Sequence, residues 1–216
     1  MSVNPAAGNS GVYSLNNVKL DGLDVQTMIQ LVLSEKSQLF NQRLETMVKD
    51  MQATNRKISD MTKMSADLTA VKNGFGSGAK NDTAINDGTN GVKDYTKNVT
   101  SNDVSAAKDK TTADIARNGT NATMKEKADL AQRMIDAGVW DESKGKSFVD
   151  GSMKYGDIDT AITQLKQKTD SLSADANLQQ IALNRLIGLK DNTDNMLASL
   201  VKKFGDTMAQ IISKVG

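Results

Sequence analysis

The sequence predicts an all-α fold: a long antiparallel coiled-coil hairpin of the N- and C-terminal helices with an irregular, partly helical insert. Three observations support this prediction. Apolar residues follow heptad spacing from about Asp24 to Lys72 and again from about Asp157 to Val215. The residues between these segments are rich in Gly, Asn, Thr and Lys. The single proline, Pro5, lies outside both segments, so neither helix is broken from within.

The first helix is expected to begin at Asp24, because aspartate caps the free N–H groups of a first helical turn. It is expected to end at Asn73-Gly74, since glycine favours the backbone conformation that closes a helix. In both long segments the apolar residues form one narrow seam, which a helix buries against another helix. The seam residues that we expect to join the two helices are Leu44, Met47, Met51, Ile58, Met61 and Leu68 in the first and Leu165, Leu172, Leu183 and Leu186 in the second.

The segment between the long helices is predicted to be an insert with short helices. One helix is expected over about Asp103–Arg117, with Asn102 or Asp103 as its cap. A second helix, with a stronger start signal, is expected to begin at Thr123–Glu126, where Thr and Glu fit a capping box, and to end at Gly138.

The densest aromatic cluster of the chain follows this second short helix. It consists of Val139, Trp140, Phe148, Met153 and Tyr155. We interpret it as a small hydrophobic cluster that fixes the insert to the long helices. The alternative is that Trp140 contacts a partner protein.

The last helix is expected to open near Gly156-Asp157, with Asp157 and Asp159 at its positively polarised start. From Leu197 onward its apolar face is wider than one seam. A wide stripe contacts more than one neighbour, so the surplus is expected to meet another chain or a partner that hides it. The alternative is that it packs on the start of the first helix, residues 28–33. The predicted interface consists of Leu197, Leu200, Val201, Phe204, Met208, Ile211 and Ile212.

These patterns divide the chain into three predicted regions. Residues 1–22 are polar and rich in Ser, Asn and Gly, and are expected to be disordered. Residues 23–72 and 157–215 are predicted to form the coiled-coil rod, and residues 73–156 the insert. No run of apolar residues approaches the roughly 20 that cross a bilayer, and no cleavable signal peptide is expected at the N-terminus.

The composition excludes several classes of site. The 216 residues include no cysteine and no histidine, so thiol nucleophiles, imidazole bases and zinc sites built from these residues are excluded. No cofactor or metal is predicted, and an enzyme is not expected. The 27 basic and 26 acidic side chains give a formal charge of +1, so nucleic acid is not an expected partner. The methionines near helical stripes, including Met47, Met51, Met61, Met196 and Met208, are interpreted as core filling.

The C-terminal sequence resembles the final helix of the hydrophilic translocators of bacterial type III secretion systems, the V-antigen tip proteins and EspA-type filament proteins. The resemblance lies in a Ser/Asn-rich helix start followed by an apolar end of the form Leu-Val-x-x-Phe-x-x-x-Met-x-x-Ile. The matching residues are Asp159–Ile162, Lys168–Ser173, Leu183–Leu186 and Leu200–Met208, together with Leu23–Met28 of the first helix. The length of the chain suits the filament branch.

This resemblance implies a secreted structural subunit of a needle extension, filament or tip, which links the needle to the translocon. It implies export by type III secretion through an uncleaved N-terminal signal and, before export, a cytoplasmic complex with a secretion chaperone. The implied partners are other copies of the chain, the needle subunit and the pore-forming translocators. A cytoplasmic coiled-coil adaptor or chaperone is the alternative function. A flagellin-like subunit is a third interpretation, although the terminal sequences do not look like flagellin.

Overall fold

The computed structural model describes residues 14–15, 18–19, 24–97, 99–119 and 121–215. Within these residues the α-helices are α1 (Val25–Asn73), α2 (Ser101–Ala107), α3 (Thr112–Asn118), α4 (Ala122–Asp136), α5 (Glu142–Asp150) and α6 (Tyr155–Val215). Two short strands, β1 (Ser14–Leu15) and β2 (Val18–Lys19), pair antiparallel. The predicted all-α fold, with a helical insert between two long helices that pack on each other, is confirmed.

The chain divides into two compact units. The terminal unit comprises Met1–Gln52 and Leu178–Gly216, and the central unit comprises Ala53–Asn177. The central unit therefore contains the predicted insert together with the adjoining ends of both long helices. Of the predicted export region, residues 1–22, the structure describes only β1 and β2, which pair rather than being disordered. The remainder of that region lies outside the described residues.

Asp24 caps α1 as the sequence predicts. The Thr27 N–H donates to Asp24 Oδ1 at 2.9 Å, and the Thr27 hydroxyl donates to Asp24 Oδ2 at 2.9 Å. These hydrogen bonds lower the pKa of the Asp24 carboxyl, because they favour its charged form. The predicted end of α1 at Asn73 is also confirmed.

The central unit has a large hydrophobic core. Leu68 from α1 and Ile158 and Leu165 from α6 are fully buried in it, and the insert helices supply most of the remaining side chains. The predicted aromatic cluster lies in this core: Trp140 is only 6% exposed, and its ring centroid is 5.1 Å from that of Phe148. The alternative role of Trp140 as a partner contact does not fit this burial.

The loop after α1 holds the start of α6. The N–H groups of Tyr155 and Gly156 donate to the carbonyls of Thr83 and Asn81 at 2.9 and 3.0 Å. First-turn N–H groups of a helix have no partner within the helix, so these bonds satisfy two of them. Ile85 is fully buried, and its N–H donates to the Met153 carbonyl at 2.9 Å. The Gly- and Asn-rich loop is thus an integral part of the central unit.

The single helix predicted over Asp103–Arg117 is wrong, since two helices occupy this segment. Thr100 caps α2 and Thr111 caps α3, each through a side-chain oxygen that accepts an N–H three residues ahead. The second threonine competes with helix continuation, because a capping hydroxyl favours a new helix start. The predicted caps Asn102 and Asp103 therefore lie inside α2.

Two further predicted helix starts are wrong by one or two residues. The cap of α4 is Asn121, whose side chain accepts the Thr123 N–H at 2.9 Å, so Thr123 lies inside the helix. Asparagine is as good a capping residue as threonine, and the earlier one is used. At the other end of α4, Gly138 has a φ of 65° and closes the helix as predicted.

The last helix begins at Tyr155, before the predicted Gly156-Asp157, because the loop carbonyls supply its cap. Asp157 lies in the first turn, where a negative charge complements the helix dipole. Asp159, predicted to complement the same dipole, instead contacts Lys72 of α1, with an Nζ–Oδ1 distance of 2.5 Å.

One lysine is partly desolvated in the central unit. Lys127 Nζ donates to the Tyr95 carbonyl and lies 3.6 Å from the centroid of the Tyr95 ring. The Tyr95 hydroxyl in turn donates to the Phe148 carbonyl at 2.8 Å. Burial lowers the pKa of Lys127 to about 8, because it disfavours the charged ammonium.

This shift predicts a pH-dependent stability. The folded-state pKa of Lys127 lies below its ordinary value of 10.5, so above pH 8 the folded state binds fewer protons than the unfolded state. The free energy of unfolding should therefore rise from about pH 8 towards pH 10.5, by about 1 kcal/mol after allowance for solvent screening.

Urea unfolding monitored by the fluorescence of Trp140, the only tryptophan, measures this in the central unit. The Lys127→Met variant lacks the titrating group and should lose this rise between pH 7.5 and 9.5. An equal pH dependence in the two proteins would contradict the assignment.

Candidate assembly surface

The terminal unit has a thin core. Its buried apolar residues among those described are Leu33, Phe40, Leu183 and Leu186, whereas eighteen buried residues form the core cluster of the central unit. Of the fifteen large apolar residues that are exposed in the described chain, all but Val104 belong to the terminal unit. Exposed apolar surface is therefore concentrated in one unit.

The α1 and α6 segments of the terminal unit pair antiparallel. The Ser37 hydroxyl donates to Asp194 Oδ1 at 2.6 Å, and Lys190 Nζ lies 2.5 Å from Asp194 Oδ2. Leu39 follows Ser37 in sequence and Leu189 precedes Asp194, yet both line one groove, as antiparallel pairing requires. The bond from Lys190 and then that from Ser37 lower the pKa of the Asp194 carboxyl. These polar contacts fix the register of the two helices.

Every predicted seam residue is buried or half-buried. Leu183 and Leu186 are buried in the terminal unit, and Leu68 and Leu165 in the central unit. The half-buried seam residues are Leu44, Met47, Met51, Ile58, Met61 and Leu172. When the seam positions are labelled a and d of a heptad, positions e and b flank the seam on one side and positions g and c on the other.

Thr193 is a further buried residue of this seam, and it was not among the predicted seam residues. Thr193 is 4% exposed and follows Leu186 by seven residues, and its hydroxyl donates to the Leu189 carbonyl at 3.0 Å. Threonine is not an apolar residue type, but the heptad spacing alone would have placed it. Because its hydroxyl bonds within its own helix, it is buried without an unsatisfied group.

The predicted interface at the end of α6 divides into two rows. Leu197, Leu200 and Phe204 continue the a and d seam and are half-buried. Val201, Met208 and Ile212 occupy e and b positions and are 53%, 58% and 67% exposed, and Ile211 at an a position is 51% exposed. We call these seven residues the tail face. The end of α6 therefore displays an apolar surface broader than its seam.

The start of α1 leaves four residues of the tail face exposed: Val201, Met208, Ile211 and Ile212. Val25, Ile29 and Val32 in this part of α1 are themselves 68%, 39% and 48% exposed. The alternative in which the surplus apolar surface of α6 is hidden there would require both sets of side chains to be buried. The interpretation of Met196 and Met208 as core filling is also wrong, since both are more than half exposed.

A second exposed surface of the terminal unit was missed by the sequence analysis. It lies at the g and c positions, where Leu39, Leu178, Leu189 and Met196 are all exposed. The spacing of Leu39 from Val32 and of Met196 from Leu189 is one heptad, so a search for a second apolar row beside the seam would have found it.

Within the described residues no three Asp and Glu side chains are grouped so that they could hold a metal ion. In the same part of the chain no helix has the length and apolar content to cross a membrane. The chain matches no protein-family model, no curated protein and no solved structure.

The register of the two helices predicts a specific cross-link. The native chain has no cysteine, so an introduced pair has no competitor. In the Ser37→Cys/Asp194→Cys variant the two thiols replace side chains whose oxygens are 2.6 Å apart, which suits a disulfide. We expect oxidation of the dilute protein to form the intramolecular disulfide about tenfold faster than in a mismatched pair.

The control is Ser37→Cys/Ile187→Cys, in which the second thiol is at the same heptad position but seven residues away. Non-reducing electrophoresis and mass spectrometry distinguish the products. Equal rates for the two variants, or disulfide-linked dimers at every dilution, would show that the register is wrong.

Proposed function

We propose that this protein is a secreted structural subunit of a type III secretion needle extension, a filament or tip that links the needle to the translocon. The observation that carries this proposal is the tail face, in which Val201, Met208, Ile211 and Ile212 are more than half exposed in the free chain. Contiguous apolar surface of this kind marks sites of protein association. A subunit that assembles into a polymer needs such a surface in its free form.

The resemblance of the C-terminal helix to hydrophilic translocators gives this surface a biological setting. The matched pattern Leu-Val-x-x-Phe-x-x-x-Met-x-x-Ile contains most of the tail face, from Leu200 to Ile211. The exposed apolar surface and the sequence resemblance thus involve the same residues. The absence of cysteine suits a chain that is exported unfolded, since no disulfide has to be reduced first.

The proposed partners are those that the resemblance implies. Copies of the chain associate through the tail face outside the bacterium, at the cell surface, and the assembly contacts the needle subunit at one end and the pore-forming translocators at the other. Before export, a cytoplasmic secretion chaperone covers the tail face and prevents premature association. The protein acts in this proposal as a building element and has no catalytic role.

Substitution of the tail face tests the proposal. In the Val201→Ser/Met208→Ser/Ile212→Ser variant, three side chains that are more than half exposed lose their apolar groups. Because they contribute little to the fold of the free chain, helix content by circular dichroism should hardly change. The assembled fraction, measured by sedimentation and negative-stain microscopy over a concentration series, should fall about tenfold or more.

A matched control replaces three exposed, uncharged residues of α6 that are not part of the tail face: Asn195→Ser/Ala209→Ser/Gln210→Ser. It should assemble as the native protein does. Removal of residues 197–216 should likewise abolish assembly while leaving most of the helix content. Normal polymerisation of the triple variant or of the truncated chain would refute the proposal.

The alternative, a cytoplasmic coiled-coil adaptor or chaperone, is favoured by the same exposed surface, since such a protein also needs an apolar face for its client. Export distinguishes the two functions. A subunit of the needle extension should reach the culture supernatant of a type III-competent strain, and deletion of residues 2–20 should reduce its secreted fraction about tenfold without loss of the intracellular protein. Retention of the native chain in the cytoplasm would favour the adaptor.

A further inference from the structure

The terminal unit contains an apolar groove on the side of the helix pair away from the exposed e and b row of the tail face. It is lined by residues from both helices, with a volume of about 490 Å³. We call this site the basic groove and define it by Leu39, Arg43, Met47, Arg185, Leu186 and Leu189. Leu39 and Leu189 are 46% and 47% exposed, so they offer apolar area that the free chain does not bury.

The surface beside the groove is basic as well as apolar. The basic side chains at g and c positions of the terminal unit include Lys36, Arg43, Arg185 and Lys203. The acidic residues Asp50 and Asp206 also occupy such positions, but neither lines the groove. Opposite charges are elsewhere interspersed in a chain whose formal charge is only +1. The basic groove therefore combines an apolar floor with one sign of charge.

The central unit shows how the same side of this helix pair is covered. There the charged residues at g and c positions that line one cleft are Lys57 and Asp60 of α1 and Lys168 of α6, and Arg133 and Asp136 of α4 line the same cleft. Arg133 of α4 contacts Asp67 of α1, with an N–O distance of 3.3 Å. A third helix with charges complementary to the pair thus occupies this side in the central unit.

We propose that the basic groove binds an amphipathic helix of another protein, one whose apolar stripe is flanked by Asp and Glu. Helix-in-groove recognition uses apolar anchors at one-turn spacing, and Leu39 and Leu189 present such a floor. Arg43 and Arg185 line the groove and would pair with carboxylates that flank the apolar stripe of the bound helix. This charge complementarity selects an acidic helix over a basic one.

Segments of this chain fit the groove less well. The end of α6 from another copy carries Lys202, Lys203 and Lys214 against Asp206 alone, so its charge repels the groove. Residues 1–23 contain one Lys and one Asp and no acidic stripe. The complementary partner is therefore a different protein. This site does not depend on the proposed assembly through the tail face.

Two synthetic helical peptides test the proposal. Both carry leucines at i, i+3, i+7 and i+10, with glutamates beside this stripe in one and lysines in the other. Fluorescence anisotropy measures their binding to the full-length protein at low ionic strength, at concentrations below those that assemble it. The glutamate peptide should bind at least about tenfold more tightly than the lysine peptide.

Charge reversal identifies the site. Arg43→Glu/Arg185→Glu should reverse the preference, so that the lysine peptide binds more tightly. The control Arg56→Glu/Lys63→Glu makes the same change of net charge at exposed positions that point away from the seam, and it should retain the native preference. The Leu39→Ser/Leu189→Ser variant should bind the glutamate peptide about tenfold more weakly than the native protein does. Its self-assembly, measured separately by sedimentation, should be unchanged.

Several outcomes would overturn the proposal. Equal binding of the two peptides, or equal effects of the groove and control reversals, would show that only net charge matters. Binding that appears only after deletion of residues 1–22 would identify the chain's own N-terminal segment as the occupant. Loss of self-assembly in the Leu39→Ser/Leu189→Ser variant would assign the groove to a second copy of the chain.

Discussion

The apolar seam between α1 and α6 is the interaction on which the rest of the structure depends. A heptad seam covers only a narrow strip of each helix, so pairing two helices leaves both flanks of the seam uncovered. In the central unit, the insert helices cover the g and c flank, where Met64 and Ala161 are buried, and convert the two-helix pair into a large core around Leu68, Phe148 and Leu165. In the terminal unit the described flanks are exposed, and several of their residues are large and apolar.

The two flanks of the terminal unit differ in character, and this difference separates the two proposed roles. The row of Val201, Met208 and Ile212 is apolar and carries no charge of its own, which suits contact with other apolar surfaces, including those of identical subunits. The basic groove places Arg43 and Arg185 beside its apolar floor, so it discriminates by charge. One helix pair thereby offers a surface for assembly and a surface for selective recognition.

Periodicity in the sequence was sufficient for the two long helices and the seam, and local capping signals were sufficient for the start of α1 at Asp24 and its end at Asn73. It was insufficient wherever tertiary hydrogen bonds or competing caps decide the outcome. Tyr155 starts α6 because carbonyls of Asn81 and Thr83, distant in sequence, accept its first N–H groups, and no local pattern reveals that. Thr111 divides the segment predicted as one helix, because a capping hydroxyl competes with helix propagation.

In the candidate site, too, the sequence pattern predicted one surface, and another surface was evident only from the packing of the two helices. The tail face was predictable because its residues widen a stripe that the heptad already defines. The basic groove was not predicted, since its leucines and arginines lie on two helices and become neighbours only in the antiparallel register that Ser37 and Asp194 mark. Met196 and Met208 were misassigned because position near a stripe does not determine which neighbour is there to cover it.

Because the two units have cores of unequal size, their free energies of local unfolding differ. Leu33, Phe40, Leu183 and Leu186 are few side chains to hold the described helices of the terminal unit together, so these helices separate at low free-energy cost. The central unit opens only when a core shared by six helices and their loops is exposed to water at once. Amide hydrogens in the described helices of the terminal unit, residues 25–52 and 178–215, therefore exchange with solvent long before those around Phe148.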